Sequence, residues 1–260
     1  MTEAWTPMGP EPLVPAAFLP PPVERWALFL DIDGTLLDIA ATPETVTVSE
    51  TLRATLTVLQ EQLSGAVALV SGRSIGAIDR LFAPLRFTIG GQHGAELRRQ
   101  PGGTVETLVE PERVAAIAAE LRGLAEEFPG VEVEEKGLSI AIHFRNAPAA
   151  ETPTWDAATA AAARSDGFLE VLRGKMVWDL RPHDVTKGTA IEMLLADPPF
   201  AGRVPVFLGD DRTDEDGFAA VSRLGGAGIL VGLPRPTLAQ FRLPDPEACR
   251  AWLDRVATER

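Results

Sequence analysis

The apolar run from Trp26 to Leu30 ends directly in two aspartates, Asp31 and Asp33, and this junction limits the folds open to the chain. A short run that is apolar at every position and bounded by turn residues predicts a strand buried on both faces, as in a parallel sheet. In open sheets of this kind, ligands bind at the carboxyl ends of the strands. The sequence therefore predicts an α/β fold in which both carboxylates reach one small site.

The chemistry expected of this aspartate pair is phosphoryl transfer. Two carboxylates held this close repel each other unless a proton or a cation lies between them, and oxygen ligands beside phosphate suit Mg²⁺. We expect Asp31 to be the nucleophile that forms an aspartyl-phosphate. Asp33 would first protonate the leaving oxygen and then activate water. The amides of Gly34 and Thr35 are predicted to face the phosphate.

Two other interpretations of this loop are open. The aspartates could simply cap a turn. The string also begins like a calcium-binding EF-hand loop, but Thr42 stands where the twelfth-position Glu is required, which argues against that assignment.

Two later segments carry candidate site residues. Residues 66–70 predict a second buried strand, followed by Ser71-Gly72-Arg73 and a helix start, which can hold a phosphate oxygen. An ordinary Ser-Gly turn is the alternative. Gln92 and His93 lie among glycines, which suggests a backbone close to a pocket, although a lone His is more often structural.

The last third of the chain predicts an anion contact and a metal site. Lys187 opens a predicted helix, where the helix dipole disfavours a cation, so the residue is expected to serve an anion. The predicted strand at residues 204–208 leads into a run with five acidic residues within seven positions, including Asp210 and Asp214. A metal site is the economical interpretation, and helix capping by the same residues is the other.

The pattern of predicted elements indicates two domains. Residues 25–105 and 181–260 alternate strand and helix, which predicts a catalytic core with a parallel sheet. Residues 106–180 predict an inserted α+β unit with a small antiparallel sheet, including a hairpin that turns at Lys136-Gly137. Residues 1–24 are rich in proline and predict an extended arm rather than a folded element.

Composition narrows the partners. The net charge is −13 with no long basic run, which argues against nucleic acid. The single cysteine, Cys249, rules out a disulfide framework and fits the cytoplasm. We expect no secretory signal, because no Lys or Arg precedes Arg25 and the N-terminus lacks the apolar segment that a signal peptide needs, and we expect no membrane span. A small-molecule partner is expected; the oligomeric state is open, with a monomer favoured.

The order of these motifs resembles the haloacid dehalogenase-like phosphatase superfamily, with a Rossmann-like core and an inserted cap of the C2 type. Within it, the chain resembles the trehalose-6-phosphate phosphatases of trehalose biosynthesis over nearly its whole length past residue 25. The motifs that carry the closer resemblance are Ser71-Gly72-Arg73, Gly91-Gln92-His93-Gly94-Ala95-Glu96, Glu134-Glu135-Lys136, His143-Phe144-Arg145, Lys187-Gly188 and Gly209-Asp210-Asp211-Arg212-Thr213-Asp214-Glu215.

The resemblance implies roles for the core residues. Trehalose 6-phosphate would be hydrolysed to trehalose and phosphate. Mg²⁺ would take the Asp31 carboxylate, the Asp33 carbonyl and Asp210, with Asp214 nearby, directly or through water. Phosphate would be held by the residues Gly34, Thr35, Ser71, Gly72, Arg73 and Lys187.

The resemblance also implies a sugar-binding set, made up of Gln92, His93, Glu134, Lys136, His143, Arg145 and Asp179. Asp179 stands where the family often has Glu, and its shorter side chain argues against a direct sugar contact at this position. By chemistry alone, the polar residues of the inserted unit could equally form the solvated face of a half-exposed sheet.

Competing functions differ in what they require. Another sugar phosphatase of the same superfamily would share the core chemistry but not the sugar preference. A phosphomannomutase-like phosphotransferase would need a bisphosphate activator and release little phosphate. A non-catalytic binding module is the third class, against which stand Asp31, Asp33, Ser71, Lys187 and Asp210.

Overall fold

Contacts divide the chain into two compact units, Met1–Val105 with Lys187–Arg260, and Glu106–Thr186. The computed structural model describes residues 14–15, 25–39, 46–174 and 176–258. We call the two parts the core unit and the inserted unit.

The strands of the core unit form one sheet. They are β1 (Val14–Pro15), β2 (Trp26–Leu30), β3 (Val67–Val70), β4 (Thr88–Gly91), β5 (Glu96–Arg98), β11 (Val204–Gly209), β12 (Ala227–Val231) and β13 (Phe241–Leu243). Their order is β1-β13-β12-β11-β2-β3-β4-β5. All of these pairs are parallel except β4 with β5.

Helices accompany this sheet. They are α1 (Glu50–Gln62), α2 (Ile75–Phe82), α6 (Lys187–Leu195), α7 (Glu215–Arg223) and α8 (Pro246–Thr258). Every residue of β2 is buried, which is expected when both faces of a parallel sheet are covered. Phe29 of β2 stacks on Phe200 with ring centroids 5.4 Å apart, and Trp26 stacks on Trp252 of α8 at 6.0 Å. The central strand, which is followed directly by Asp31, is therefore held by packing along its whole length.

The inserted unit has its own core. It contains β6 (Glu106–Thr107), α3 (Pro111–Leu121), α4 (Gly123–Glu127), β7 (Glu132–Glu135), β8 (Ile140–His143), α5 (Glu151–Arg164), β9 (Leu169–Arg173) and β10 (Val177–Pro182). The antiparallel sheet runs β7-β8-β10-β9. Trp178 is fully buried, stacks on Phe144 at 4.9 Å and donates its indole N–H to Thr154 Oγ1 at 3.0 Å.

Side chains alternate across this small sheet. Ile140 and Ile142 of β8 and Trp178 and Leu180 of β10 belong to the core cluster of the unit. The alternation therefore turns His143 and Asp179, and Glu134 opposite Ala141, to the other face. A polar face of the sheet results.

One predicted boundary differs from the structure. The break predicted at 180/181 falls inside β10, because Arg181 and Pro182 still pair with Glu170 and Leu169 of β9; the contacts place it at 186/187 instead. Most of the predicted proline-rich arm, residues 1–24, lies outside the described residues. Within it, Val14–Pro15 pair in parallel with Phe241 and Arg242.

None of the described helices combines the length and apolar character needed to cross a bilayer.

Candidate active site

Asp31 lies at the carboxyl end of the central strand and is buried. Its N–H donates to the carbonyl of Leu208 at 3.0 Å, which continues the pairing of β2 with β11. Gly34 follows with φ +82°, and a Cβ there would collide with the carboxylate of Asp210. Thr35, also buried, directs Oγ1 to Asp210 Oδ1 at 3.4 Å. The loop after β2 therefore approaches the loop after β11 at a position that only glycine fits.

Lys187, the first residue of α6, joins two of the buried carboxylates. Its Nζ lies 2.7 Å from Asp31 Oδ1 and 2.6 Å from Asp214 Oδ1. Burial raises the pKa of Asp31 well above its ordinary value, with the neighbouring Asp214 and Asp210 adding to the rise and Lys187 opposing it. Burial alone would lower the pKa of Lys187, but the attraction of Asp214 and Asp31 outweighs it and the net pKa is raised. The lysine is therefore a fixed positive charge beside Asp31.

The acidic loop after β11 is organised by Asp214. Its Oδ2 accepts the N–H groups of Asp210 at 2.8 Å and Asp211 at 3.0 Å. Asp211 in turn accepts the N–H of Thr213 at 2.5 Å, which caps the short 3-10 helix Arg212–Asp214. Both oxygens of Asp214 are thus already engaged by protein donors.

The carboxylates of Asp31, Asp210 and Asp214 form a group that could hold a divalent cation. One oxygen from each lies within 4.8 Å of the others. Burial raises the pKa of Asp210 to about 7, and the charges of Asp214 and Asp211 contribute. A cation would relieve this mutual repulsion, and an all-oxygen donor set suits a hard divalent ion.

Asp33 and Arg73 form a two-bond ion pair. Arg73 Nε donates to Asp33 Oδ2 and Nη2 to Oδ1, both at 2.6 Å. Arg73 was predicted to bind phosphate, and in this structure its guanidinium pairs with the carboxylate of Asp33. A bidentate arginine fixes the orientation of a carboxylate as well as its charge.

The turn after β3 brings together the residues predicted around Ser71. Ser71 is buried, and its Oγ accepts the N–H of Arg73 at 3.2 Å. The N–H groups of His93 and Gln92 donate to the carbonyls of Ser71 and Arg73, both at 2.9 Å. A Cβ on Gly72 would lie 2.6 Å from His93 Nε2, so the ring lies directly over the turn.

Gln92 and His93 both have left-handed backbone conformations, with φ of 46° and 59°. The side chain of Gln92 donates to Glu96 Oε1 at 2.8 Å, and Glu96 Oε2 accepts the N–H of Ile75 at the start of α2 at 2.7 Å. In this structure the two residues therefore support the Ser71 turn.

The polar face of the inserted unit carries four of the predicted sugar-binding residues together. Glu134 Oε2 lies 3.0 Å from His143 Nε2 and 4.0 Å from Lys136 Nζ, and Lys136 Nζ donates to Asp179 Oδ1 at 3.3 Å. All four side chains remain more than a third exposed. Arg145 lies beyond the end of β8 and is exposed; no described hydrogen bond or ion pair links it to the cluster.

Two arginines that the sequence did not single out contact the loops of the site. Arg250 of α8 donates to the carbonyl of Leu36 at 3.0 Å. Arg235 donates to the carbonyl of Asp211 at 2.6 Å. Its only signal in the sequence is its place between two prolines shortly after a buried strand, which names no chemistry.

A cavity of about 550 Å³ lies beside Asp210 in the core unit. Its lining includes Gly34, Asp38, Asp210, Gly232, Leu233 and Arg235.

A parallel sheet with Asp31 and Asp33 after its central strand and Lys187 and Asp210 at neighbouring element ends has the haloacid dehalogenase-like fold, and the predicted fold class is confirmed. Residues 29–247 match the family model described as Trehalose-phosphatase. The chain belongs to the trehalose-phosphatase family, and the prediction that it is an enzyme of this family is confirmed.

The relatives support this assignment over most of the chain. A protein of Sinorhizobium fredii named "Probable trehalose-phosphate phosphatase" is 42% identical over 90% of this chain and 89% of its own length. The "Trehalose-6-phosphate phosphatase" of Escherichia coli is 39% identical over 90% of this chain and 87% of its own. A crystal structure described as a trehalose-6-phosphate phosphatase related protein superposes with a TM-score of 0.71 at 27% identity, covering 89% of this chain and 96% of that one.

Proposed function

We propose that this protein hydrolyses trehalose 6-phosphate to trehalose and phosphate through an aspartyl-phosphate on Asp31, with Mg²⁺. The observation that carries the proposal is the buried group of Asp31, Lys187, Asp210 and Asp214 in a chain of the trehalose-phosphatase family. A buried nucleophilic carboxylate, a fixed cation and an acidic metal group are what transfer of a phosphoryl group to an enzyme needs.

In the first step, one Asp31 oxygen attacks phosphorus and the bond from phosphorus to the sugar oxygen breaks. Lys187 supports this step, since its ammonium lies 2.7 Å from Asp31 and can neutralise charge on the phosphoryl oxygens. The raised pKa of Asp31 means that burial disfavours its charged form, so neighbouring cations are needed to keep it ionised. Ser71 Oγ and the amides of Gly34 and Thr35 are proposed as further phosphate contacts.

Asp33 is proposed as the group that moves protons. A sugar alkoxide is a poor leaving group, so protonation by a placed acid is worth roughly 10²–10⁴-fold in rate. In the second step, Asp33 takes a proton from water, the water oxygen attacks phosphorus, and the bond to Asp31 breaks. The pair with Arg73 holds the Asp33 carboxylate in one orientation before substrate enters.

Mg²⁺ is proposed as the divalent ion, bound by Asp31, Asp210 and the Asp33 carbonyl, where it would neutralise phosphate charge. The contacts of Asp214 favour an indirect role: its Oδ2 already accepts two N–H groups, and its Oδ1 accepts Lys187. Asp214 would therefore orient the loop and reach the cation through water.

The polar face of the inserted unit is proposed as the sugar-recognition surface. Glu134, Lys136, His143 and Asp179 form one exposed network of donors and acceptors. Groups that bond to a disaccharide are left unpaired by a wrong sugar, which is how a polar site discriminates strongly. Arg145, Gln92 and His93 are proposed as additional contacts on the family resemblance.

We also propose a cytoplasmic location, which the single cysteine supports. Cys249 is fully buried in α8, and burial raises the pKa of its thiol to about 12, so it stays a packed, unreactive thiol.

Phosphate release from a panel of sugar phosphates, with and without Mg²⁺, tests the proposal. Wild-type protein should prefer trehalose 6-phosphate, lose activity with EDTA, and lose it again as Asp31→Asn. The paired variant Asp211→Asn, one residue from Asp210 but directed to Thr213, is the control and should retain most activity. Equal rates on all sugars would contradict the assigned substrate, and an active Asp31→Asn protein would contradict the nucleophile.

A further inference from the structure

Arg235 belongs to the segment between β12 and β13, yet its guanidinium contacts the backbone of the acidic loop after β11. Nη2 donates to the carbonyl of Asp211 at 2.6 Å and to that of Asp210 at 3.2 Å, and Nε reaches the Asp210 carbonyl at 3.4 Å. The side chain is three-quarters buried, with 25% exposed. The planar fork of an arginine can reach two successive carbonyls at once, which an ammonium cannot do in the same way.

Glu215 orients this arginine through an ion pair and also binds the backbone of the segment that carries it. Its Oε1 pairs with Arg235 Nη1, and its Oε2 accepts the N–H of Leu238 at 2.8 Å. Nη1 also donates to the carbonyl of Pro236 at 3.1 Å. Glu215 is the first residue of α7, so the segment that carries Arg235 is fastened to the helix that follows the acidic loop.

The contacts of Asp210 show what Arg235 and Glu215 hold in place. Its N–H is held by Asp214 Oδ2, its carboxylate is reached by Thr35 Oγ1, and its carboxylate lies against Gly34. Arg235 lies outside the loops after β2 and β11, and among the described hydrogen bonds it is the donor to the Asp210 carbonyl. Because Asp210 lies among like charges, loss of the contact to its carbonyl would let repulsion shift the carboxylate away from Asp31 and Asp214.

We infer that Arg235, oriented by Glu215, is a positioning residue that fixes the backbone of Asp210 so that its carboxylate meets those of Asp31 and Asp214 at the cation site. The inference rests on the proposed function, in which Asp210 is a cation ligand. Groups that orient a ligand in this way are worth about 10- to 100-fold in metal affinity.

Binding of Mn²⁺ to the full chain without substrate tests this, with the free ion counted by electron paramagnetic resonance. Arg235→Gln should raise the Mn²⁺ dissociation constant about tenfold or more. Its activity on trehalose 6-phosphate should fall at low Mg²⁺ and recover at high Mg²⁺, with KM little changed. Because a bound metal ion also stabilises the folded chain, urea unfolding without metal should show that Arg235→Gln is folded under the assay conditions. Arg235→Lys keeps the positive charge but lacks the planar guanidinium. Its Mn²⁺ dissociation constant should lie between those of the wild type and Arg235→Gln.

Arg242→Gln is the matched control. Arg242 donates to the carbonyl of Gly232 at 2.8 Å, at the start of the same segment, and is not bonded to Asp210 or Asp211 in the described structure. It should bind Mn²⁺ as the wild type does. Equal weakening in Arg242→Gln and Arg235→Gln would overturn the inference, since loosening of the segment would then suffice.

Asp210→Asn tests the proposed cation site separately from the role of Arg235. If it loses Mn²⁺ while Arg235→Gln and Arg235→Lys bind as the wild type does, the positioning inference alone is overturned. If Asp210→Asn binds as tightly as the wild type, the proposed cation site is wrong and the inference falls with it.

Discussion

Gly34 shows how a single backbone position connects two strand ends. Its φ of +82° lies in the left-handed region, and a Cβ would collide with the carboxylate of Asp210. The strain and the collision are separate costs. The strain would be paid in any loop, whereas the collision would move a proposed cation ligand.

Gly34→Ala should therefore lower activity about a hundredfold, because a displacement of the order of 1 Å at a reacting group has that effect. It should also weaken Mn²⁺ binding. Gly102→Ala is the control, since Gly102 has φ +72° but open space around a Cβ, and should cost only about 1–2 kcal/mol of strain. Steady-state rates and urea unfolding of both variants check this. Equal losses of activity would contradict the collision argument.

At the residue scale, the sequence predicted which side chains meet but not how they bond. Asp31, Lys187 and Asp210 each stand at an element end, so their meeting follows from a parallel sheet. The Asp33–Arg73 pair and the contacts of Arg235 with the acidic loop join segments that are distant in the chain. They depend on the directions of the side chains, which no local sequence pattern encodes.

At the scale of elements, α6 and α7 pack closely enough to set the position of Lys187. A Cβ on Gly188 would collide with the carbonyl of Asp216 in α7. The predicted start of α6 at Lys187 agrees with the structure, and the strand predicted at residues 66–70 agrees with β3 to within a residue. The end of β10 was missed because its last residues are held by pairing with β9, a non-local contact.

Gly188→Ala should separate α6 from α7 and draw Lys187 away from Asp214, lowering both stability and activity. Gly123→Ala is the same change in α4, with open space around the new methyl, and should leave stability unchanged or raise it by about 0.5–1 kcal/mol. Thermal unfolding and phosphate release check the pair. A Gly188→Ala protein as active as the wild type would contradict close packing as the determinant.

A second element-scale prediction concerns Asp79 of α2 and Arg98 of β5, joined by two bonds of 2.7 Å. The hydrogen bond from Arg98 lowers the pKa of Asp79 below its ordinary 3.8. When a carboxyl has a lower pKa in the folded state than in the unfolded state, its ionised form stabilises the fold at pH values above the unfolded-state pKa. This stabilisation is lost as the pH falls through the folded-state pKa. Asp79→Asn should therefore destabilise by about 1–3 kcal/mol at pH 7.

The difference between wild type and Asp79→Asn should narrow as pH falls below 3.8. Asp197→Asn removes the partner of the more exposed Arg99 and should cost little at any pH. Urea unfolding from pH 7 to pH 3 measures both. A gap that stays constant with pH would show that the effect is not electrostatic.

At the scale of the molecule, two separate hydrophobic cores support the two proposed roles: one unit carries the catalytic residues and the other the sugar-recognition surface. Trp178 and its aromatic neighbours stabilise the inserted unit, while Phe29 and Phe207 lie in the core of the other unit. The sequence predicted this division because an antiparallel pattern interrupts an alternating one, and composition alone would have predicted only a large globular chain.

Trp178→Ala should destabilise the inserted unit by about 3–5 kcal/mol. The preference for trehalose 6-phosphate should fall, while Mn²⁺ binding by the core unit should persist, since its ligands belong to the other core. Mn²⁺ binding and the sugar-phosphate panel check the two parts. Simultaneous loss of both would contradict the independence of the units.

Trapping the phosphoryl group on the enzyme tests the proposed mechanism most sharply. Rapid acid quenching during turnover of trehalose 6-phosphate labelled at phosphorus should place label on the peptide that contains Asp31, and none on Asp31→Asn. Label on that residue would establish the nucleophile and the substrate together. Label on another residue, or turnover by Asp31→Asn at the wild-type rate, would contradict an aspartyl-phosphate on Asp31.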